Sequence, residues 1–254
     1  MLLAIDIGNT NIVLGIHGGS GWLAQWRIRT VRDKMPDEYG VLFRELLREQ
    51  RIELTDVQRV IVSSVVPPLT GIFGELCQQF LGRQPLVVGP GVRTGLNIRT
   101  DNPAEVGADL IANAVAAFDR IQSDCIVVDF GTATTFSAVA DPGVFLGVAI
   151  APGLSLAADA LAGRTAQLPR VQLSAPTEAI GKNTVHSMQA GLVLGYVGLV
   201  EGLIRRLQSE LGGHGRVIAT GGMASVISPL TDQIDIVEPW LTLDGLRLIA
   251  ERNL

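Results

Sequence analysis

Lysine is almost missing from this sequence. Lys34 and Lys182 are the only two, and the other 18 of its 20 basic residues are arginines. They form no block, and the net charge is −5, which argues against nucleic acid as the main ligand. Cysteine is equally scarce. Cys77 and Cys125 stand 48 positions apart, with no CxxC and no histidine cluster near either. A structural zinc and a disulfide framework are therefore disfavoured, and a reducing cytoplasm is the natural setting. His17, His186 and His214 lack metal-ligand spacing. No unbroken apolar run approaches the ~20 residues of a membrane span. The opening Met1–Asp6 has no basic region and meets a carboxylate after five residues, so it reads as a strand and not as a signal peptide.

What the sequence does hold is apolar residue, 47% over 254 positions with mean hydropathy +0.35, broken into short runs by Gly, Asp and Pro. That is enough for one large domain or two lobes. Leu2–Ile7 and Ile12–Ile16, joined by Gly8-Asn9-Thr10-Asn11, predict a hairpin, and Trp22–Thr30 a third strand. A helix over Asp37–Gln50, a strand at Val60–Val66, a helix near Leu69–Leu81 and a strand at Leu86–Val88 follow, giving the order βββαβαβ. A helix over Ala104–Ile121, capped by Asn102 or Asp101 ahead of Pro103, leads into the second half. There Cys125–Phe130, Thr135–Ala140 and Val144–Ile150 are again three strands. Helices at Leu154–Leu161 and Thr184–Leu211 follow, then strands at Arg216–Ala219 and Ile234–Val237, each with a helix after it. The expected fold is α/β, two duplicated lobes at 1–119 and 120–254.

The duplication is visible in the residues. Ile5-Asp6-Ile7-Gly8-Asn9-Thr10 and Val128-Asp129-Phe130-Gly131-Thr132-Ala133 share strand–Asp–apolar–Gly, 123 positions apart. A tight turn between antiparallel strands gathers backbone N–H groups into a nest for phosphate oxygens. Gly8 permits close approach, and Asn9, Thr10 and Asn11 add donors. Asp6, being acidic, would hold Mg²⁺ through water. Two such nests facing a cleft supply the charge neutralisation and positioning that phosphoryl transfer needs. Thr220-Gly221-Gly222-Met223 could receive an adenosine moiety at a helix start. In Glu105-Val106-Gly107-Ala108-Asp109-Leu110, Asp109 is a candidate proton acceptor for a substrate hydroxyl, with Glu105 competing for the role. An ordinary hairpin and an ordinary first-turn aspartate are the bland alternatives.

As a set, Asp6-Ile-Gly-Asn-Thr-Asn11, Gly107-Ala-Asp109, Asp129-Phe-Gly-Thr-Ala-Thr134, Ala151-Pro-Gly153, Gly181-Lys-Asn-Thr184 and Thr220-Gly-Gly222 resemble the type III pantothenate kinases. The resemblance runs in order from residue 1 to the final helix. It implies an actin-like (ribonuclease H-like) fold of the acetate and sugar kinase/Hsp70/actin superfamily, with ATP in the cleft between lobes. It also implies phosphorylation of pantothenate, the first step of coenzyme A synthesis, by a homodimer needing Mg²⁺ and a monovalent cation, K⁺ or NH₄⁺. On this resemblance Asp6, Ile7, Gly8, Asn9, Thr10, Asn11, Ile12 and Val13 form the ATP-phosphate hairpin and Thr132 contacts ATP. Asp109 is the proton acceptor, and Asp129 the monovalent-cation ligand. Thr100, Gly107, Ala108, Asp109, Leu110 and Thr184 fall at pantothenate-binding positions, and the long helix with Gly191, Gly195, Gly198 and Gly202 becomes a dimer element.

Two of those positions depart from the family pattern. Leu110 stands where the family usually has arginine, and Thr100 where it usually has tyrosine. The arginine would pair with the pantothenate carboxylate, a bond worth about 1.5–3 kcal/mol, or one to two decades of affinity. Three readings stay open: a pantothenate kinase with a remodelled carboxylate site, a kinase of this fold acting on another small alcohol, and a catalytically weak regulatory paralogue.

Overall fold

Strand alternation explains the first sheet in the computed structural model, which describes residues 1–254. β1 (Leu2–Ile7), β2 (Asn11–His17) and β3 (Trp22–Arg29) form an antiparallel meander. β4 (Arg59–Ser64) joins parallel to β1, and β5 (Leu86–Val87) parallel to β4, in the order β3-β2-β1-β4-β5. One face carries Ile5, Ile7, Ile12, Leu14 and Val62 into a core with Tyr39, Phe43 and Phe73. The last three come from α1 (Pro36–Glu49) and α2 (Pro67–Leu76). On α1, Tyr39, Phe43 and Leu47 recur every four residues as one buried stripe. Its start is set by Pro36 and by the Glu38 carboxylate, which accepts from the Met35 N–H at 2.9 Å.

The second sheet repeats this plan. β7 (Cys125–Phe130), β8 (Ala133–Ala140) and β9 (Val144–Pro152) are the meander. β10 (Arg216–Thr220) lies parallel to β7 and β11 (Ile236–Val237) parallel to β10. The order β11-β10-β7-β8-β9 mirrors that of the first sheet, which is the topological signature of the duplication. A further strand that the sequence pattern did not announce, β6 (Asn97–Ile98), extends this sheet by pairing parallel to β9.

The chain packs as two compact units. One holds Met1–Gly95, Asn102–Ala116 and Thr242–Leu254; the other holds Leu96–Asp101 and Ala117–Leu241. This differs from a division into 1–119 and 120–254 because β6 is drawn into the second sheet and the last helix, α8 (Leu241–Arg252), packs with the first unit. In the second unit, helix Thr184–Glu210 is long and apolar enough to cross a bilayer, with 39% of its apolar window buried. Val193, Val197, Val200 and Ile204 on it pack into that unit's core. It contains α5 (Thr184–Gln189), a π turn at Ala190–Leu194 and α6 (Gly195–Glu210).

Four expected helices begin or end differently. The one expected over Ala104–Ile121 is a 3-10 turn at Pro103–Glu105, capped by the Asn102 side chain, followed by α3 (Ala108–Ile121). Extended backbone at Val106 separates them, which puts Asp109 in the first helical turn. After Leu76 the second helix opens into a π turn ended by left-handed Gly82. After β10 the helix is a single α turn, α7 (Ala224–Ile227), continued by a 3-10 turn at Ser228–Leu230. The helix between β9 and the long helix, α4 (Leu154–Gly163), runs slightly past its expected end.

Candidate functional site

In the first unit the residues from Asp6 to Val13 form the end of one strand, a turn and the start of the next. Asp6 pairs with Val13 and Ile7 with Ile12, and the Gly8 N–H donates to the Asn11 carbonyl at 3.0 Å. Asn9, Thr10 and Asn11 are exposed, Asp6, Gly8 and Val13 half-buried. Ile7 and Ile12 are core residues at 0% exposure, so only their backbone is available to a ligand. A Cβ on Gly8 would lie 3.0 Å from the Asn11 carbonyl oxygen, so a side chain there requires the turn to give by a few tenths of an ångström.

Asp109 belongs to the same unit. The Val65 N–H donates to the Ile7 carbonyl at 3.1 Å, and Val65 Cγ1 lies 3.6 Å from where a Cβ on Gly107 would sit. The end of β1, the end of β4 and the start of α3 therefore converge. Asp109 Oδ1 accepts from the Leu110 N–H at 2.8 Å. Burial raises the Asp109 carboxyl above the usual aspartate range, partly opposed by that bond and by the residue's own N–H. A Cβ on Gly107 would stand 2.5 Å from Asp109 Oδ1, so the glycine gives the carboxylate its room. Glu105, the competing candidate, is exposed and receives a bond from Asn102 Nδ2 at 2.7 Å. Of the two, only Asp109 has the desolvated carboxyl that makes a strong proton acceptor.

The helix bearing Asp109 is held in place by α8. Asn113, one turn further along α3 and almost fully buried, accepts from the Thr242 hydroxyl at 2.8 Å. Gly245 of α8 lies so close to Ala112 that a Cβ would stand 1.8 Å from its carbonyl oxygen. A glycine in mid-helix is the one local signal that could have pointed here. Trp22 Nε1 donates to Asp244 at 2.8 Å, tying the same helix to the β2–β3 hairpin.

In the second unit Phe130 pairs with Thr134, so the duplicated turn is shorter, Gly131-Thr132-Ala133. Thr132 is exposed and its carbonyl accepts from the Gly153 N–H at 3.1 Å. The Asp129 carboxylate sits in a cradle of glycine. A Cβ on Gly221, whose φ is +91°, would be 2.5 Å from Asp129 Oδ1, and one on Gly131 would be 3.7 Å away. The motifs Asp129–Thr134 and Thr220–Gly222 thus meet around one carboxylate, with Thr220 paired to Asp129 across the strands. Elsewhere in this unit, Thr184 is an exposed first residue of α5, whose cap Asn183 accepts from the His186 N–H at 2.9 Å. A cavity of about 180 Å³ lined by Lys182, His186 and Gln189 adjoins it. Thr100 has a buried hydroxyl with no hydrogen-bond partner.

The donor set decides which ions fit. No group of three or more His, Cys, Asp or Glu side chains converges, which excludes an all-protein transition-metal cage. Mg²⁺ needs no such cage, because it keeps several waters and takes one carboxylate plus substrate phosphates. Asp6 suits that role, and beside it across β1 and β4 stands Ser63, whose buried hydroxyl has no hydrogen-bond partner. The glycine-lined Asp129 carboxylate supplies the hard oxygen donor that a cation takes as well.

A sequence model of the type III pantothenate kinase family matches residues 2–206. The chain is 54% identical over 253 residues to the type III pantothenate kinase of Moorella thermoacetica, covering 100% of both. It is 51% identical to that of Geobacter sulfurreducens, covering 100% of this chain and 99% of the other. Among solved structures, a conserved putative Baf family transcriptional activator from Campylobacter jejuni superposes with TM-score 0.63 at 18% identity, over 99% of this chain and 98% of that one. A putative 2-dehydro-3-deoxygalactonokinase from Sinorhizobium meliloti gives 0.61 at 13% identity, over 99% and 96%. At these identities the structural likeness establishes the actin-like α/β fold. With the family model and the two full-length relatives, the chain belongs to the type III pantothenate kinase family.

Proposed function

We propose that this protein transfers the γ-phosphoryl group of ATP to the 4′ hydroxyl of pantothenate, the first committed chemistry of coenzyme A synthesis. The observation that carries the reading is the convergence, in one unit, of the Asp6–Asn11 turn with a desolvated Asp109. Asn9, Thr10 and Asn11 bind and orient the ATP phosphates with side-chain and backbone donors. Asp109 accepts the hydroxyl proton as the oxygen attacks, and Gly107 leaves its carboxylate free to turn toward that oxygen. Asp6 holds hydrated Mg²⁺, which when bound neutralises phosphate charge. In the second unit, Asp129 holds K⁺ or NH₄⁺ beside Thr132. Gly107 and Ala108 line the acceptor site beside Asp109.

The assembly is a homodimer in the cytoplasm. What supports dimerisation is apolar surface on the second unit, including Ile150, Leu156 and Ile180, the last 80% exposed. Gly191, Gly195, Gly198 and Gly202 add a small-residue face on its long helix, each with nothing within 4 Å of a built Cβ.

A second reading, a kinase of another small alcohol, rests on Leu110 and Thr100. Leu110 offers no cation to a carboxylate, and the Thr100 hydroxyl is an orphan in the free protein. The two are separated by ADP release across a panel of acceptors. Turnover with pantothenate supports the first; turnover only with uncharged alcohols supports the second, and none with any overturns both.

A further inference from the structure

Beyond Arg29 the chain folds back along the Asp6–Asn11 turn. Thr30 closes on it twice, its N–H donating to the Thr10 carbonyl at 3.0 Å and its hydroxyl to the Gly8 carbonyl at 2.6 Å. In a trans peptide the C=O and the following N–H point opposite ways. Holding the Gly8 and Thr10 carbonyls toward Thr30 therefore sends the Asn9 and Asn11 N–H groups away from it. The next residue is anchored as well. The Val31 N–H donates to the Tyr39 hydroxyl at 3.0 Å, and that hydroxyl donates back to the Val31 carbonyl at 2.8 Å. Tyr39 is at 0% exposure, so the segment is pinned to the core.

Arg32 leaves this fixed backbone and donates from Nη2 to Asn9 Oδ1 at 3.1 Å. That bond uses one of its five N–H donors and a neutral acceptor. Arg32 takes part in none of the molecule's ion pairs. A full, uncompensated guanidinium charge is thus held at the rim of the turn that binds phosphate. Arginine suits that place because its planar fork matches phosphate oxygens, and a tethered fork loses little freedom on binding.

We propose that Arg32 is a phosphate-binding residue, gripping the terminal phosphates of ATP beside Asn9, with Thr30 and Tyr39 as the residues that position it. The proposal rests on the kinase reading above. Calorimetric titration of MgATP into full-length protein and its variants tests it, with adenosine, which lacks phosphate, followed by ligand-observed NMR. Arg32→Gln weakens MgATP binding about tenfold and raises the ATP KM alike, as the loss of one charged bond predicts. Adenosine affinity and the pantothenate KM stay unchanged, and Arg32→Lys falls between wild type and Arg32→Gln. Unaltered MgATP affinity in Arg32→Gln overturns the proposal, as does an equal loss for MgATP and adenosine, which would mark a damaged turn. A wild type that binds MgATP but phosphorylates no pantothenate would refute the kinase assignment alone, since the titration would still read Arg32.

Discussion

Replacing Gly245 by alanine should destabilise the first unit although alanine favours helix. The gain in helix propensity is about 1 kcal/mol. Against it, the new Cβ would stand 1.8 Å from the Ala112 carbonyl oxygen and 2.4 Å from its carbon. Both atoms are backbone, so no rotamer change relieves the overlap and α8 must move off α3. Overpacking of this kind costs about 1–3 kcal/mol. The shift also breaks the Thr242–Asn113 bond and leaves the buried Asn113 oxygen without that donor, adding about 1–3 kcal/mol. The net loss is about 1–5 kcal/mol, centred near 3. Urea denaturation followed by tryptophan fluorescence reads it, because Trp22 is bonded to Asp244 on the moving helix. Turnover should fall too, since α3 carries Asp109. A Gly245→Ala protein as stable and as active as wild type would refute the packing argument.

Other perturbations reach the site and the assembly. Asp109→Asn should abolish turnover while keeping the fold; retained activity would remove Asp109 as proton acceptor. Because burial raises the Asp109 carboxyl, the folded state holds its proton more tightly than the unfolded chain. Stability from this group is therefore full below the ordinary aspartate range and lost as pH rises through the raised value. Asp109→Asn should consequently be the more stable protein at neutral pH, and the acid limb of wild-type kcat/KM should lie above the usual aspartate range; equal stability, or a limb within that range, would contradict this. Leu110→Arg should lower the pantothenate KM by one to two decades if the missing guanidinium is the defect; an unchanged KM would mean the carboxylate is held elsewhere. Gly198→Ala and Gly202→Ala should each stabilise an isolated chain by up to about 1 kcal/mol, since nothing lies within 4 Å of either Cβ. If this face packs in a homodimer, sedimentation should instead show weakened association.

The sequence carried the parts of this architecture that local pattern encodes. β7 is readable to the residue, because Cys125–Val128 is an apolar run followed by Asp129-Phe130 and closed by Gly131, and the shared Asp–apolar–Gly signature announces a duplication that sheet order bears out. Non-local choices were not readable. Asn113 and Thr242 are 129 positions apart, and nothing in either neighbourhood names the other. β6 is two residues long and exists because β9 offers it an edge. Pro103 and Asn102 are good capping residues and so suggest an earlier start for α3, yet they cap only a 3-10 turn. The motifs located the carboxylates of the candidate site, whereas the glycine contacts that give Asp109 and Asp129 their surroundings emerged only from the packing of Gly107 and Gly221.

The central claim is most directly tested by the phosphorus NMR spectrum of purified protein incubated with MgATP, pantothenate and K⁺ or NH₄⁺. The account predicts a new phosphomonoester signal growing in step with ADP, coupled to the methylene protons of the 4′ carbon, and absent with Asp109→Asn. ADP formation without that ester, or an ester that persists in Asp109→Asn, would contradict it.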